Sequence, residues 1–177
     1  ILLKMNLKDK LVIGCAQSDE NYGLNKKNKF SEVFEHALKN KFTYFDTSLA
    51  YKNNRQFIQK LSHVKNKKII LKCSFEGIVD KNFKKKIIHE INETIFKNGH
   101  KTIHSLLIHN PVLPLNKKKW LIVNKILENY KSKGTIKKIG ISVYSKFELD
   151  QILDIFTPEI VQFPLNLFNQ SFADKAY

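Results

Sequence analysis

Short runs of branched and aromatic residues recur along this chain at intervals of about 25 to 35 residues, each followed by apolar residues at helical spacing. That alternation restricts the fold to βα units, in which parallel strands lie beneath helices. Strands are expected over 11–16, 43–47, 68–73, 105–109, 138–143 and 159–165, apolar on both faces as buried parallel strands should be. Helices are expected over 30–41 with a Ser31 cap, 54–62, 80–98 stopped by Gly99, and 120–133 closed by Gly134. A last helix runs from a Ser145 cap to about Phe156.

Six such units can form an open doubly wound sheet or most of a (β/α)8 TIM-type barrel. The first βα turn, Gly14-Cys15-Ala16-Gln17-Ser18, lacks the second and third glycines of a dinucleotide-binding doubly wound sheet, so the α/β barrel is favoured. The 177 residues suit one domain spanning 1–177. A whole barrel takes about 250 residues and rarely fewer than ~200. The expectation is therefore an incomplete barrel of about six units, truncated before strands seven and eight. A chain that opens on Ile1 is also expected to have lost its start by processing or truncation.

At 42% hydrophobic the chain can build a substantial core, yet its apolar runs fall far short of the ~20 residues of a membrane-spanning helix. No membrane partner is expected. Cys15 and Cys73 sit in apolar strand-like segments, which supports neither a disulfide framework nor a cysteine metal site and makes a reducing cytoplasm the default location. A net charge of +15 raises a polyanion as partner. Arg55 is the sole arginine, however, and forks to phosphate and base edges favour the planar guanidinium. Lys84-Lys85-Lys86 and Lys117-Lys118-Lys119 read as solvated helix faces, with no specific nucleic-acid partner.

The strands end on chemically useful residues. Phe42-Thr43-Tyr44-Phe45-Asp46-Thr47-Ser48-Leu49-Ala50-Tyr51 delivers an aspartate and, five residues on, a tyrosine. Ile69-Ile70-Leu71-Lys72-Cys73 delivers a lysine, and Leu106-Leu107-Ile108-His109-Asn110-Pro111 a histidine. Parallel α/β folds place their chemistry at the carboxyl ends of the strands, so these groups are expected in one site. Taken singly, Asp46 reads equally as a turn cap, Tyr51 as a packing residue and His109 as a satisfied strand-end histidine. Lys72 is harder to set aside, because a lysine on a buried strand needs a partner. His36, His63, His89, His100 and His104 lack such a setting and read as surface or packing residues.

Together with Lys133-Gly134-Thr135-Ile136-Lys137-Lys138-Ile139-Gly140-Ile141-Ser142-Val143-Tyr144-Ser145, these segments resemble the aldo-keto reductases, in order from about Leu11 to Phe168. The resemblance implies a (β/α)8 barrel that reduces an aldehyde or ketone, or oxidises the alcohol, with NADP(H) or NAD(H) and no metal. It places the catalytic roles on Asp46, Tyr51, Lys72 and His109, and cofactor-amide contacts on Ser142, Gln162 and Asn166. After Tyr51 the family has a glycine and then a glutamate where this chain has Lys52-Asn53-Asn54-Arg55-Gln56, and Val143 stands where many members have asparagine. Arg55 is expected to bring positive charge near the barrel mouth.

The chemistry of the four residues supports those roles. Hydride transfer to a carbonyl carbon develops negative charge on oxygen, which a proton donor must meet. Lowering a tyrosine pKa from about 10 to about 7 takes roughly 4 kcal/mol. One ammonium at ~4 Å in an effective dielectric of ~20 supplies about that much. Lys72 fits that need, with Asp46 holding it charged and His109 fixing the carbonyl oxygen or relaying a proton. The alternatives from other classes are a non-catalytic remnant or regulatory binding module of the same fold, and a basic polyanion-binding protein.

Overall fold

The computed structural model describes residues 10–16, 30–51, 54–75, 82–95 and 101–173. Among the described residues six strands, β1 (Val12–Gly14), β2 (Tyr44–Ser48), β3 (Lys68–Cys73), β4 (Ile103–Ile108), β5 (Ile136–Ser142) and β6 (Ile160–Gln162), form one sheet in chain order. Every neighbouring pair is parallel. Helices α1 (Phe30–Lys39), α2 (Asn54–Ser62), α3 (Phe83–Ile95), α4 (Val112–Leu115), α5 (Lys117–Ser132) and α6 (Lys146–Leu153) alternate with them.

The sheet is curled. Strands β2 and β6 lie four positions apart, about 19 Å in a flat sheet at ~4.8 Å per strand. Yet Gln162 Nε2 on β6 donates to Asp46 Oδ2 on β2 across 3.1 Å. Only a sheet bent toward closure brings those side chains together, and the architecture is an incomplete (β/α) barrel.

Residue parity divides the sheet into two layers. Odd-numbered Phe45, Ile69, Leu71, Cys73, Ile139, Ile141 and Val143, with Leu106 and Ile108 of β4 at the opposite parity, pack under the helices in the main core. The other face of β2, β3, β5 and β6 carries Asp46, Ser48, Lys72, Gly140, Ser142 and Gln162. This corrects the expectation of strands apolar on both faces: the helix side is apolar, whereas the barrel side is largely polar or small. The two edge strands also depart from full burial, with Val12 exposed and β6 half-buried throughout.

Helical stripes supply the other half of the core. Ile87, Ile91 and Ile95 recur at four-residue spacing on α3 and are fully buried. Phe34 of α1 meets Phe57 of α2 at 4.7 Å and Phe45 of β2 at 5.7 Å between ring centroids. Trp120 of α5 meets Phe156 at 4.5 Å.

Several boundaries differ from the sequence expectation, for local reasons. Ser31 lies inside α1 rather than capping it. Helix α5 begins at Lys117, not Trp120, because the Asn116 side chain accepts from the Lys119 N–H and so caps it. The turn α4, unforeseen from Pro111 and Pro114, precedes it. Gly134, at φ 71, ends α5 in the left-handed conformation a glycine adopts freely. Ser145 does cap α6, with Glu148 returning the bond in a capping box. The expected limits of α3 at Asp80, Asn98 and Gly99, together with Gln17, Ser18, Lys52, Asn53 and His100, lie outside the described residues.

Candidate active site

At the carboxyl end of β2 the chain leaves the sheet through Leu49, whose N–H donates to the Lys72 carbonyl oxygen at 3.1 Å. The Tyr51 N–H then donates to the Ser48 carbonyl at 3.1 Å, turning the chain back over the strand ends. Asn54, at the start of α2, fixes this turn by donating from Nδ2 to the same Ser48 carbonyl at 2.7 Å. Tyr51 is thereby held beside β3.

Register does the rest. Ser48 pairs with Lys72 across β2 and β3, so the Lys72 side chain emerges one pleat above Asp46 on the same face. Its Nζ meets Asp46 Oδ2 at 2.7 Å, with both residues more than nine-tenths buried. Nζ also lies 5.9 Å from the Tyr51 ring centroid. Burial works against the ammonium, but the charge and hydrogen bond of Asp46, reinforced by Tyr51, hold the Lys72 pKa above the ordinary lysine value. The buried lysine is therefore a fixed positive charge next to a tyrosine.

His109 follows β4 and is pinned there by its N–H, which donates to the Cys73 carbonyl at 2.8 Å. Its Nδ1 lies 3.2 Å from Ser48 Oγ. The structure thus brings Asp46, Tyr51 and Lys72 together and links His109 to them through Ser48. Ser48 was not singled out from the sequence, although its position two residues after Asp46 puts it on the same strand face. Cys15, read from the sequence only as a cysteine in an apolar strand, also borders Asp46. Its N–H donates to the Asp46 carbonyl at 2.9 Å, while burial first and the Asp46 charge second push its thiol pKa far up, against the opposing pull of Lys72.

Ser142 and Gln162 are register partners on β5 and β6. Gln162 spends Nε2 on Asp46, and its Oε1 is buried without a hydrogen-bond partner. An acceptor left open there, next to a serine hydroxyl, matches a carboxamide, which has one donor end and one acceptor end. Asn166 stands apart: it is exposed and its Oδ1 accepts from the Phe168 and Asn169 N–H groups at 2.9 and 3.0 Å, closing a turn.

Arg55 lines a cavity of about 400 Å³ together with Tyr51 and Asn54, which follow β2, and with His89, Glu90 and Glu93 of α3. Of the other histidines, His104 packs edge-on against Tyr44 at 5.2 Å. Among the described residues no group of three His, Cys, Asp or Glu side chains is arranged to hold a metal, and no helix is long and apolar enough to cross a membrane.

The profile of the Aldo/keto reductase family matches residues 10–175. Among solved structures, an aldo-keto reductase from Pseudomonas aeruginosa superposes with a TM-score of 0.68 at 15% identity, over 90% of this chain and 64% of that one. One from Brucella melitensis gives 0.64 at 18% identity, over 88% and 58%. One from the silkworm Bombyx mori, complexed with NADPH, gives 0.65 at 16% identity, over 88% and 51%. The chain therefore spans between half and two thirds of the length of these relatives. No curated protein matches its sequence. Agreement between the profile over nearly the whole chain and the curled parallel sheet leads to one assignment: the chain belongs to the aldo/keto reductase family.

Proposed function

We propose that this chain carries the proton-transfer site of an oxidoreductase that reduces an aldehyde or ketone, or oxidises the corresponding alcohol, with NADP(H) or NAD(H). The observation that carries the reading is the buried Lys72–Asp46 pair at 2.7 Å with Tyr51 beside the ammonium. A lysine charge kept dry costs several kcal/mol in desolvation. Such a charge is of most use where a neighbouring group must become an anion during the reaction.

Tyr51 is the proton donor in this reading. As its proton passes to the carbonyl oxygen, the phenolate that forms is stabilised by Lys72, which Asp46 keeps charged and aimed. Ser48 holds one ring nitrogen of His109, leaving the ring oriented to steady the same carbonyl oxygen. A bound nicotinamide would supply or accept the hydride. Ser142 and Gln162 would hold its carboxamide, the serine donating and the open Gln162 oxygen accepting. The NADPH held by the Bombyx mori relative supports this cofactor class. Asn166, the remaining candidate for a cofactor contact, would have to release its turn to take part.

NADPH titration followed by nucleotide fluorescence tests the reading, run on the purified chain beside a form extended by any further βα units its gene encodes. Saturable binding that Gln162→Ala weakens about tenfold is the expected result. Binding by neither form, or binding indifferent to Gln162→Ala, would overturn the cofactor assignment.

A further inference from the structure

A second concavity lies on the outer surface, between α3 and α5, away from the carboxyl ends of the strands. It encloses about 770 Å³, within the range of small-molecule sites at ~300–1,000 Å³. One wall is Lys84, Ile88 and Asn92, at four-residue steps along α3; the other is Leu121, Lys125, Asn129 and Lys133, at four-residue steps along α5. Ile122 and Ile126 line it as well, with Tyr130 and Thr135. From Leu121 to Lys133 the groove extends ~18 Å at the 1.5 Å rise of a helix.

The lining combines two properties that helix surfaces usually keep apart. Leu121 is 71% exposed and Ile122 is exposed beside it, so apolar side chains face water within the groove. The charged residues around them are three lysines, with no carboxylate among the lining groups. Tyr130 Oη donates to Asn92 Oδ1 across the groove, so of its two amides Asn92 already has a partner. A peptide laid here would bring backbone donors and acceptors with little to meet them. A single anionic head on a long hydrocarbon tail would instead satisfy both the lysines and the apolar floor.

We propose that the α3–α5 groove binds a free long-chain carboxylate, with the tail on Ile88, Leu121, Ile122 and Ile126 and the head on one of Lys84, Lys125 and Lys133. The site is separate from the strand-end cluster, and its occupancy does not depend on the reaction proposed above.

The test is a titration of the purified chain with an anthroyloxy-labelled hexadecanoic acid, kept below its aggregation concentration, followed by competition. The expected result is saturable one-to-one binding, displaced by unlabelled dodecanoate and at least tenfold less readily by methyl dodecanoate. The triple variant Lys84→Glu, Lys125→Glu, Lys133→Glu should weaken binding at least tenfold. A control of equal charge change on the same two helices, Lys85→Glu, Lys117→Glu, Lys118→Glu, should leave it within twofold. Leu121→Asp, at a position exposed enough to spare the fold, should also weaken binding tenfold or more. Equal losses in the two triple variants would reduce the effect to net charge. Absence of saturable binding, or binding confined to anionic phospholipid vesicles, would overturn the proposal.

Discussion

Two lysine–carboxylate pairs of the same length, 2.7 Å, stand at opposite ends of the sheet. Lys72 and Asp46 close the carboxyl end of β2 and β3, with side chains about a tenth exposed; Lys131 and Glu159 close the amino end of β6, with side chains more than a third exposed. Distance alone makes them equivalent, but solvent does not. The outer pair faces water that screens it, and such pairs contribute ~0–1 kcal/mol. The inner pair has given up its hydration, so removing one partner strands a charge at a cost of ~3–5 kcal/mol. A fold seeking only stability would gain as much from apolar side chains at 46 and 72. That this one keeps the ions there, with Tyr51 adjacent, is what the proposed chemistry of the inner pair rests on, whereas the outer pair joins α5 to the start of β6.

The contrast can be broken in several ways. In a form that turns over, Tyr51→Phe should lower carbonyl reduction by ~10²-fold or more while NADPH binding stays nearly intact; unchanged turnover would remove Tyr51 from the reaction. Asp46→Ala should cost ~3–5 kcal/mol by urea denaturation, whereas Asp46→Asn with Lys72→Met should recover most of that loss. Equal costs for the single and double changes would mean the ions are not coupled. Gly140→Ala should cost ~1–3 kcal/mol, because the new Cβ would lie 2.3 Å from the Ile160 carbonyl oxygen, a backbone atom with little room to yield. Lys131→Met should cost less than ~1 kcal/mol in the same assay.

The pH dependence of the two pairs should also differ in direction. Lys131 chiefly, with the Ile139 N–H, holds Glu159 below the ordinary carboxylate value of 4.5. A depressed carboxylate stabilises above its unfolded pKa, so this contribution should fade as pH falls below about 4.5. Lys72 is held above the ordinary 10.5, with Asp46 outweighing the opposing effect of burial. A raised lysine stabilises fully below its unfolded pKa, so that contribution should fade only as pH rises past about 10.5. Comparing the unfolding free energies of Glu159→Gln and wild type in acid, and of Lys72→Met and wild type in alkali, checks both signs.

Much of this was legible in the sequence, and the exceptions follow a pattern. Lys72 announced itself because a lysine among Ile69, Ile70, Leu71 and Cys73 demands a counter-ion, and strand β2 supplied Asp46. The central strands β2 to β5 were readable from their apolar runs, β3 with both limits as expected and the others with starts and ends off by one or two residues. The edge strands were not: β1 and β6 each have three residues where six and seven were expected, because extent at an edge depends on a single partner strand rather than on composition. The polarity of the barrel face was missed because Lys72 was read as an exception on an apolar strand, when it belongs to an alternating set with Asp46, Ser48, Ser142 and Gln162. Asn166 was named for the cofactor by resemblance alone; its turn with Phe168 and Asn169 was not legible, because asparagine competes locally for its own backbone.

The Gln162–Asp46 hydrogen bond joins residues 116 positions apart. Neighbouring strands here can pair one crossover at a time, and each such closure is comparatively local. That one bond cannot form until every crossover between β2 and β6 has been made and the sheet has bent. The aspartate that orients the lysine is consequently among the last groups to find its full set of neighbours during folding. Amide exchange at β6, with an isotope-labelled Gln162 side chain as reporter, would then mark the moment at which Asp46 gains its last partner.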